Sequence, residues 1–244
     1  MKPLDIQALS KNFGGLQAIN NISLEIEEGE RRVIIGPNGA GKTTLFHLIS
    51  GFLLPSSGHV HLFGRDVTNL QAYQRAALGM ARTFQVTNLF QKLTLFENIL
   101  LGVQAIQSSR FCFYRRVRSF RGMMDEAERF LKEWNLWEKK GVLLKNLSYG
   151  EQRQIEVIMA LATKPRLLLL DEPTAGLSPA ETASVTSIIK GLPREITTIL
   201  IEHDMDVAFE IAEKVTVLYF GSVLADGPLA EIKGNPKVTE VYLG

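Results

Sequence analysis

The run Gly36-Pro37-Asn38-Gly39-Ala40-Gly41-Lys42-Thr43 constrains this chain more than any other stretch of it. It fits the pattern G-x-x-x-x-G-K-[ST], and its surroundings suit the fit. Val33–Ile35 reads as a strand just before it, and Leu45, Leu48 and Ile49 give an apolar helical stripe just after it. Glycines allow successive backbone N–H groups to turn inward and form an anion-binding nest. A helix starting near Gly41 adds its positive end to that nest. Lys42 can then place a point charge on the β- and γ-phosphates of a nucleoside triphosphate, and the Thr43 hydroxyl is placed to ligate Mg²⁺. A chance glycine-rich turn would meet the spacing but not the order of strand, loop and helix. The motif therefore predicts an α/β sheet that binds nucleotide.

The rest of the chain is read around that loop. Ile22, Leu24 and Ile26 alternate with polar residues as a half-buried strand does, and Val60–Phe63 is a short strand candidate. Three apolar runs, Leu167–Leu170, Thr198–Ile201 and Val215–Tyr219, read as buried strands separated by helical patterns, the signature of a parallel sheet. From about residue 88 to residue 163 the pattern is mainly helical. Ala127, Phe130, Leu131 and Trp134 recur at helical spacing, as do Ile155, Ile158, Met159 and Ala162 before Pro165. The expectation is one domain: an α/β lobe from 1–87 and 164–244, with a helical lobe, 88–163, inserted between its halves.

Bulk properties exclude some functions. With 27 Lys and Arg against 26 Asp and Glu, the chain has no global basic field for wrapping nucleic acid. The lone Cys112 rules out an internal disulfide and a cysteine-only metal site. His47, His59 and His61 join no cluster at zinc-ligand spacing. There is no charged-then-apolar leader at Met1 and no apolar run near the ~18 residues of a membrane span. The expected location is intracellular, with any membrane role coming through a partner.

Two further segments carry chemistry. Leu167–Leu170 delivers Asp171-Glu172 to the carboxyl end of a strand, where ligands of open α/β sheets gather. Asp171 can hold the Mg²⁺ shell, and Glu172 can polarise an attacking water. A solvated acidic turn is the bland alternative, and only the phosphate loop lifts the pair above it. Leu147-Ser148-Tyr149-Gly150-Glu151-Gln152 opens a helix with capping-box spacing between Ser148 and Glu151. Such a start is ordinary as a cap, yet it would also accept a phosphate. Ser178-Pro179-Ala180-Glu181 has the same capping spacing with Pro at the first helical position, and capping suffices to explain it.

Taken in order, Gly36–Thr44, Gln85, Leu147–Gln152, Leu167–Glu172 and His203 resemble the ATP-binding subunits of ABC transporters over essentially the whole chain. The resemblance implies a RecA-like phosphate-loop core, an antiparallel β subdomain and an inserted helical subdomain. ATP and Mg²⁺ are the implied cofactors. Phe13 matches the aromatic that stacks on adenine, with Ala18 nearby. Gly36, Asn38, Gly39, Ala40, Gly41, Lys42, Thr43 and Thr44 would hold the phosphates. Thr43, Gln85 and Asp171 would surround the metal, and Glu172, Gln85 and His203 would act on the attacking water and γ-phosphate. Ser148, Gly150, Glu151 and Gln152 would contact the nucleotide of the opposite subunit. Local sequence alone gives each of three residues a plainer reading: Phe13 as core, Gln85 as loop and His203 as a polar cap. Two positions depart from the family pattern. Tyr149 stands where many members have Gly, and Ser178 stands where Asp is usual in the segment that crosses the dimer.

The L-S-Y-G-E-Q-R and A-G-L-S-P-A-E-T stretches and the tail Val238–Gly244 look like those of branched-chain amino-acid importers. The ATPases of lipopolysaccharide export are similar in length and tail but tend to have Gly at the Tyr149 position. The implied partners are permease subunits and a second ATPase subunit, identical or paralogous, at the cytoplasmic face of the membrane. Arg110, Arg115, Arg116, Arg118 and Arg121, interleaved with aromatics, read equally as a membrane-partner contact or as a solvated helix start. A soluble ABC ATPase acting on DNA or ribosomes would bring long coiled coils or two cassettes, and neither is visible here. A nucleotide-gated scaffold without turnover has no need of Glu172.

Overall fold

The computed structural model describes residues 1–83, 89–106 and 121–243. Gln85 and the arginines from Arg110 to Arg118 lie outside the described residues.

The chain opens with β1 (Leu4–Phe13) and β2 (Leu16–Ile26), an antiparallel hairpin. They join β4 (Ser57–Leu62) and β5 (Arg65–Asp66) in a four-stranded sheet of order β2-β1-β4-β5. Between β2 and β4 the chain enters a second sheet through β3 (Arg31–Ile35), then runs into the phosphate loop and α1 (Lys42–Ser50). After β5 come α2 (Ala72–Ala77) and β6 (Met80–Arg82). Then follow α3 (Leu95–Ala105), α4 (Arg121–Glu133) and α5 (Tyr149–Leu161). The chain returns through β7 (Leu167–Asp171), α6 (Pro179–Lys190), β8 (Thr197–Ile201), α7 (Met205–Ile211), β9 (Lys214–Tyr219), β10 (Ser222–Pro228), α8 (Leu229–Lys233) and α9 (Pro236–Leu243).

The second sheet has the order β10-β9-β3-β8-β7-β6 and is parallel except for β10. Its central strands are buried on both faces, as their unbroken apolar runs require. Residues alternate between two cores. Ile34, Leu167, Leu169, Ile199 and Ile201 face α1 and the antiparallel sheet. Val33, Ile35, Leu168, Leu170 and Leu200 face residues of α5 to α9. Each such buried Leu or Ile contributes about 1.5–3 kcal/mol over an exposed one. A one-residue slip in any central strand would exchange the two sets, so the register is fixed from both sides.

A third core joins α3, α4 and α5 through Leu95, Ile99, Val103, Ala127, Leu131, Ile155 and Ile158. Of the stripe read in the sequence, Ala127 and Leu131 are fully buried, while Phe130 and Trp134 pack partly buried between the second and third cores. α3 starts with a capping box between Thr94 and Glu97 that the sequence reading passed over. Among the described residues, no helix is long and apolar enough to cross a membrane.

Candidate nucleotide site

The parallel sheet sends three neighbouring strands to one edge. β3 ends in the phosphate loop, β7 in Asp171 and Glu172, and β8 in Glu202 and His203.

The loop is held from behind by the turn between β9 and β10. Gly221 N–H donates to Ala40 O at 3.0 Å, and Gly221 O accepts from Asn20 N–H at 2.8 Å. A Cβ on Gly36 would lie 2.3 Å from Leu218 O, so β9 leaves no room for any other residue there. Asn38, Gly39 and Thr43 face solvent, while Ala40 and Lys42 are buried. Lys42 Nζ donates to Gly36 O at 2.6 Å and to Pro37 O at 3.1 Å, folded over the carbonyls of its own loop. Burial pushes its ammonium below the ordinary value of 10.5, against the pull of Glu172 and Asp171. The loop and the end of β7 thus lie close enough for these two carboxylates to act on Lys42.

Asp171 is buried, and Arg82 Nη2 donates to its Oδ2 at 2.8 Å. Among the described residues, its other oxygen, Oδ1, has no hydrogen-bond partner. A buried carboxylate oxygen without a donor is costly unless something else approaches it. This oxygen, and the hydroxyl of the exposed Thr43 on the phosphate loop, are hard-oxygen donors of the kind that suits Mg²⁺. Thr83 Oγ1 accepts from Asp171 N–H at 3.3 Å, which fixes the chain two residues before Gln85 against β7.

Glu172 has φ 47°, a left-handed backbone that non-glycine residues rarely adopt. Such strain costs of order 1–3 kcal/mol and gathers at functional sites. Here it turns the side chain back toward β8. Glu172 N–H still donates to Ile201 O at 3.0 Å, and its carboxylate pairs with His203 Nε2. His203 is half exposed on its side chain, so one face of the pair is open to water or phosphate. His203 is thus a satisfied polar group after β8 whose partner is Glu172.

Glu202, which the sequence reading left unremarked, is 3% exposed and carries weight in this corner. It accepts from Thr174 Oγ1 at 2.8 Å, from Thr174 N–H at 3.2 Å and from His203 N–H at 3.2 Å. It therefore ties the loop after Glu172 to the end of β8. Burial pushes its carboxyl above the ordinary 4.5, the three donors oppose this, and Glu172 adds to it. Nothing local in Ile201-Glu202-His203 marks it; an acid directly after a buried strand was the available signal.

Phe13 is 46% exposed at the tip of the β1–β2 hairpin, with Lys11 Nζ 5.2 Å from its ring centroid. It is an exposed aromatic and not core. Ala18, half-buried on β2, lies against Gly221. Phe220 stands 76% exposed beside that turn, and the sequence reading missed it too.

The remaining candidates sit elsewhere in the subunit. Ser148 caps α5, its Oγ accepting from Glu151 N–H at 3.2 Å and its N–H donating to Glu151 Oε2 at 2.8 Å. Lys139 Nζ donates to Glu151 Oε1 at 2.6 Å, and Gln91 Nε2 to Gln152 Oε1 at 2.9 Å. Gly150 is buried and its N–H donates to Glu181, the acid that accepts from Ser178 Oγ at 2.7 Å. Among the described residues, none of these bonds reaches the phosphate loop of the same chain.

Residues 19–175 match the ABC transporter family. The chain is 39% identical to the high-affinity branched-chain amino acid transport ATP-binding protein BraF of Pseudomonas aeruginosa, over 99% of this chain and 97% of that one. It superposes with a TM-score of 0.86 on the crystal structure of the ADP conformation of MJ1267, an ATP-binding cassette of an ABC transporter. That pair is 30% identical and covers 100% of this chain and 99% of the other. A dimeric post-hydrolysis cassette, MJ0796 bound to ADP and Pi, matches with a TM-score of 0.77 at 26% identity over 93% and 98% of the two chains.

Proposed function

Because the chain belongs to the ABC transporter family, whose cassettes are ATPases that power transport, we propose that it is the motor subunit of a branched-chain amino-acid importer. The observation that carries the reading is the meeting of Lys42, Asp171, Glu172 and His203 at one sheet edge behind the phosphate loop. The choice of substrate rests on BraF and LivG, which are high-affinity branched-chain amino acid transport ATP-binding proteins.

ATP enters with its base on Phe13 beside Ala18 and its phosphates along Gly36 to Thr44. The loop N–H groups and the α1 N-terminus take the negative charge. Lys42 leaves the Gly36 and Pro37 carbonyls for the β- and γ-phosphates, a short swing because its stem is already buried beside them. Mg²⁺, when bound, neutralises phosphate charge in the transition state. Thr43, Gln85 and Asp171 would hold it. Glu172 orients and deprotonates the attacking water, and His203, already paired to Glu172, contacts the γ-phosphate from the β8 side.

Ser148, Gly150, Glu151 and Gln152 complete the site of a second subunit, identical or paralogous. That assignment fits their place away from the phosphate loop of their own chain. With lobes of 1–87 plus 164–244 and 88–163, each subunit would carry a nucleotide-binding face on the first and the face with Ser148–Gln152 on the second. Permease subunits hold the pair at the cytoplasmic side of the membrane. A cleft of about 1070 Å³ lies between α2, β6, α3 and α5, with Phe52, Tyr73, Phe90 and Ile106 exposed around it. We assign it to an amphipathic cytoplasmic segment of a permease, since so much apolar rim on one face marks an interaction site.

Glu172→Gln tests the mechanism. General-base catalysis contributes about 10²–10⁴-fold, so turnover should fall at least a hundredfold while ATP binding persists and the dimer is trapped closed. Full hydrolysis by that variant would remove the assignment. Transport is tested by uptake of labelled leucine in cells lacking the chain. Restoration by the wild type and not by Glu172→Gln supports import, and unchanged uptake in the absence of the chain overturns it.

A further inference from the structure

Arg82 lies between two features assigned above, and neither assignment uses it. It ends β6, and its side chain is only 4% exposed. Its fork is divided. Nη2 holds Asp171 Oδ2 at 2.8 Å, and Nη1 donates to Ser50 Oγ at 2.7 Å. Ser50 Oγ in turn donates to Phe46 O at 2.6 Å, anchoring the arrangement to the last turn of α1. The guanidinium lies 5.6 Å from the Phe46 ring centroid and 5.7 Å from that of Phe52. Phe46 is core, whereas Phe52 is 53% exposed and lines the cleft together with Ser50 and Arg82.

We infer that Arg82 is a positioning residue for Asp171, and that through it the wall of the cleft and the metal-holding carboxylate move as one. This rests on the assignment of Asp171 to Mg²⁺. A carboxylate has a broad, two-fold terminal torsion, so a buried Asp is aimed only by what grips it. Arg82 grips Oδ2 and, among the described residues, nothing bonds Oδ1, so one oxygen is presented in one direction. The fork is what makes this work: a planar guanidinium can bond Ser50 and Asp171 together while lying against two rings, and an ammonium cannot. An occupant of the cleft that displaces Phe52 removes one side of that clamp. The signal to the metal then passes through two side chains and needs no shift of the sheet.

The test is the Mg²⁺ midpoint for nucleotide binding, read by ADP titration in EDTA and across a Mg²⁺ series, without turnover. Groups that orient a metal ligand from behind are typically worth 10–100-fold in metal affinity. Arg82→Met should raise the Mg²⁺ midpoint by about that factor, leaving ADP affinity in EDTA unchanged. Arg82→Lys should recover part of the loss. In an Asp171→Asn background, Arg82→Met should add nothing further. Phe52→Ala should move the midpoint the same way by about twofold to fivefold, the worth of a partly exposed cation–π contact. A wild-type midpoint in a folded Arg82→Met, or an equal loss of ADP affinity in EDTA, would overturn the inference. An unmoved midpoint in Phe52→Ala would overturn its link to the cleft. If wild-type ADP binding shows no Mg²⁺ dependence at all, the fault lies with the assignment of Asp171.

Discussion

Arg75 offers a perturbation whose size can be worked from its contacts. It lies on α2 and is completely buried, 0% exposed. Nη1 donates to Leu48 O and Ile49 O, each at 2.7 Å, at the end of α1. Nη2 donates to Thr68 O at 3.0 Å and Nε to Leu70 O at 3.0 Å. A cation on the last carbonyls of a helix is also favoured by the helix dipole. Burial alone is unfavourable to the charge and lowers its pKa from 12.5 to about 10. Arg75→Met keeps most of the volume and removes every donor. Four carbonyls losing about 1 kcal/mol each gives about 4 kcal/mol, and relief from burying a charge returns part of it, leaving about 3 kcal/mol. For a chain of this length that is a fall in Tm of about 6–12 °C. The phosphate loop stands at the other end of α1, roughly 13 Å away at 1.5 Å per residue. ADP affinity of the folded variant should therefore stay within about threefold. Thermal unfolding with and without nucleotide measures both. A Tm within about 2 °C of wild type would refute the weighting of those bonds, and a large loss of ADP affinity with little loss of stability would show that Arg75 serves the site.

Two other predictions follow from the site. Base stacking on an aromatic is worth about 1–3 kcal/mol, so Phe13→Ala should weaken ATP binding by about 5- to 100-fold, and Phe13→Tyr should restore it. Fluorescence titration decides this, and an unchanged Kd would return Phe13 to the surface with no role. Burial raises Glu202 above 4.5 in the folded chain. The folded state then keeps a proton that the unfolded chain has released. Its contribution is fully present below the ordinary value and declines as pH climbs from there through the raised one. Glu202→Gln should flatten that decline in urea midpoints as pH rises above the ordinary 4.5, and an unaltered slope would show that other groups set it.

Legibility in the sequence followed how local each signal was. The phosphate loop, the apolar runs of β3, β7, β8 and β9, and the capping boxes at Ser148 and Ser178 each lie within a few residues, and all were read. β1 was missed because its alternation breaks at a bulge where Ala8 has φ 49°. β6 is three residues long and exists through its pairing with β7. Arg75, Arg82 and Glu202 escaped notice for one reason: a buried charge is recognised by its partners, and those stand 28 to 89 positions away in the case of Thr174 and Asp171. For Phe13 local sequence offers only core as the plainer reading beside the implied stacking on adenine, since a lone aromatic carries no periodicity to decide between them.

Glu181 binds the start of α6 to the start of α5 by accepting from Ser178 and from Gly150. A Cβ on Gly150 would fall 2.1 Å from Glu181 Oε1, so the acid occupies space that only glycine leaves. Had position 178 carried Asp, two carboxylates would have faced one another across this joint. With Ser there, the hydroxyl supplies the proton that Glu181 accepts. The departure at 178 is thus matched to its neighbour and is no simple loss. The starts of α5 and α6, both proposed above to face a second subunit, share a single latch in Glu181, so a movement of one helix start and an opening of the other become one degree of freedom, not two.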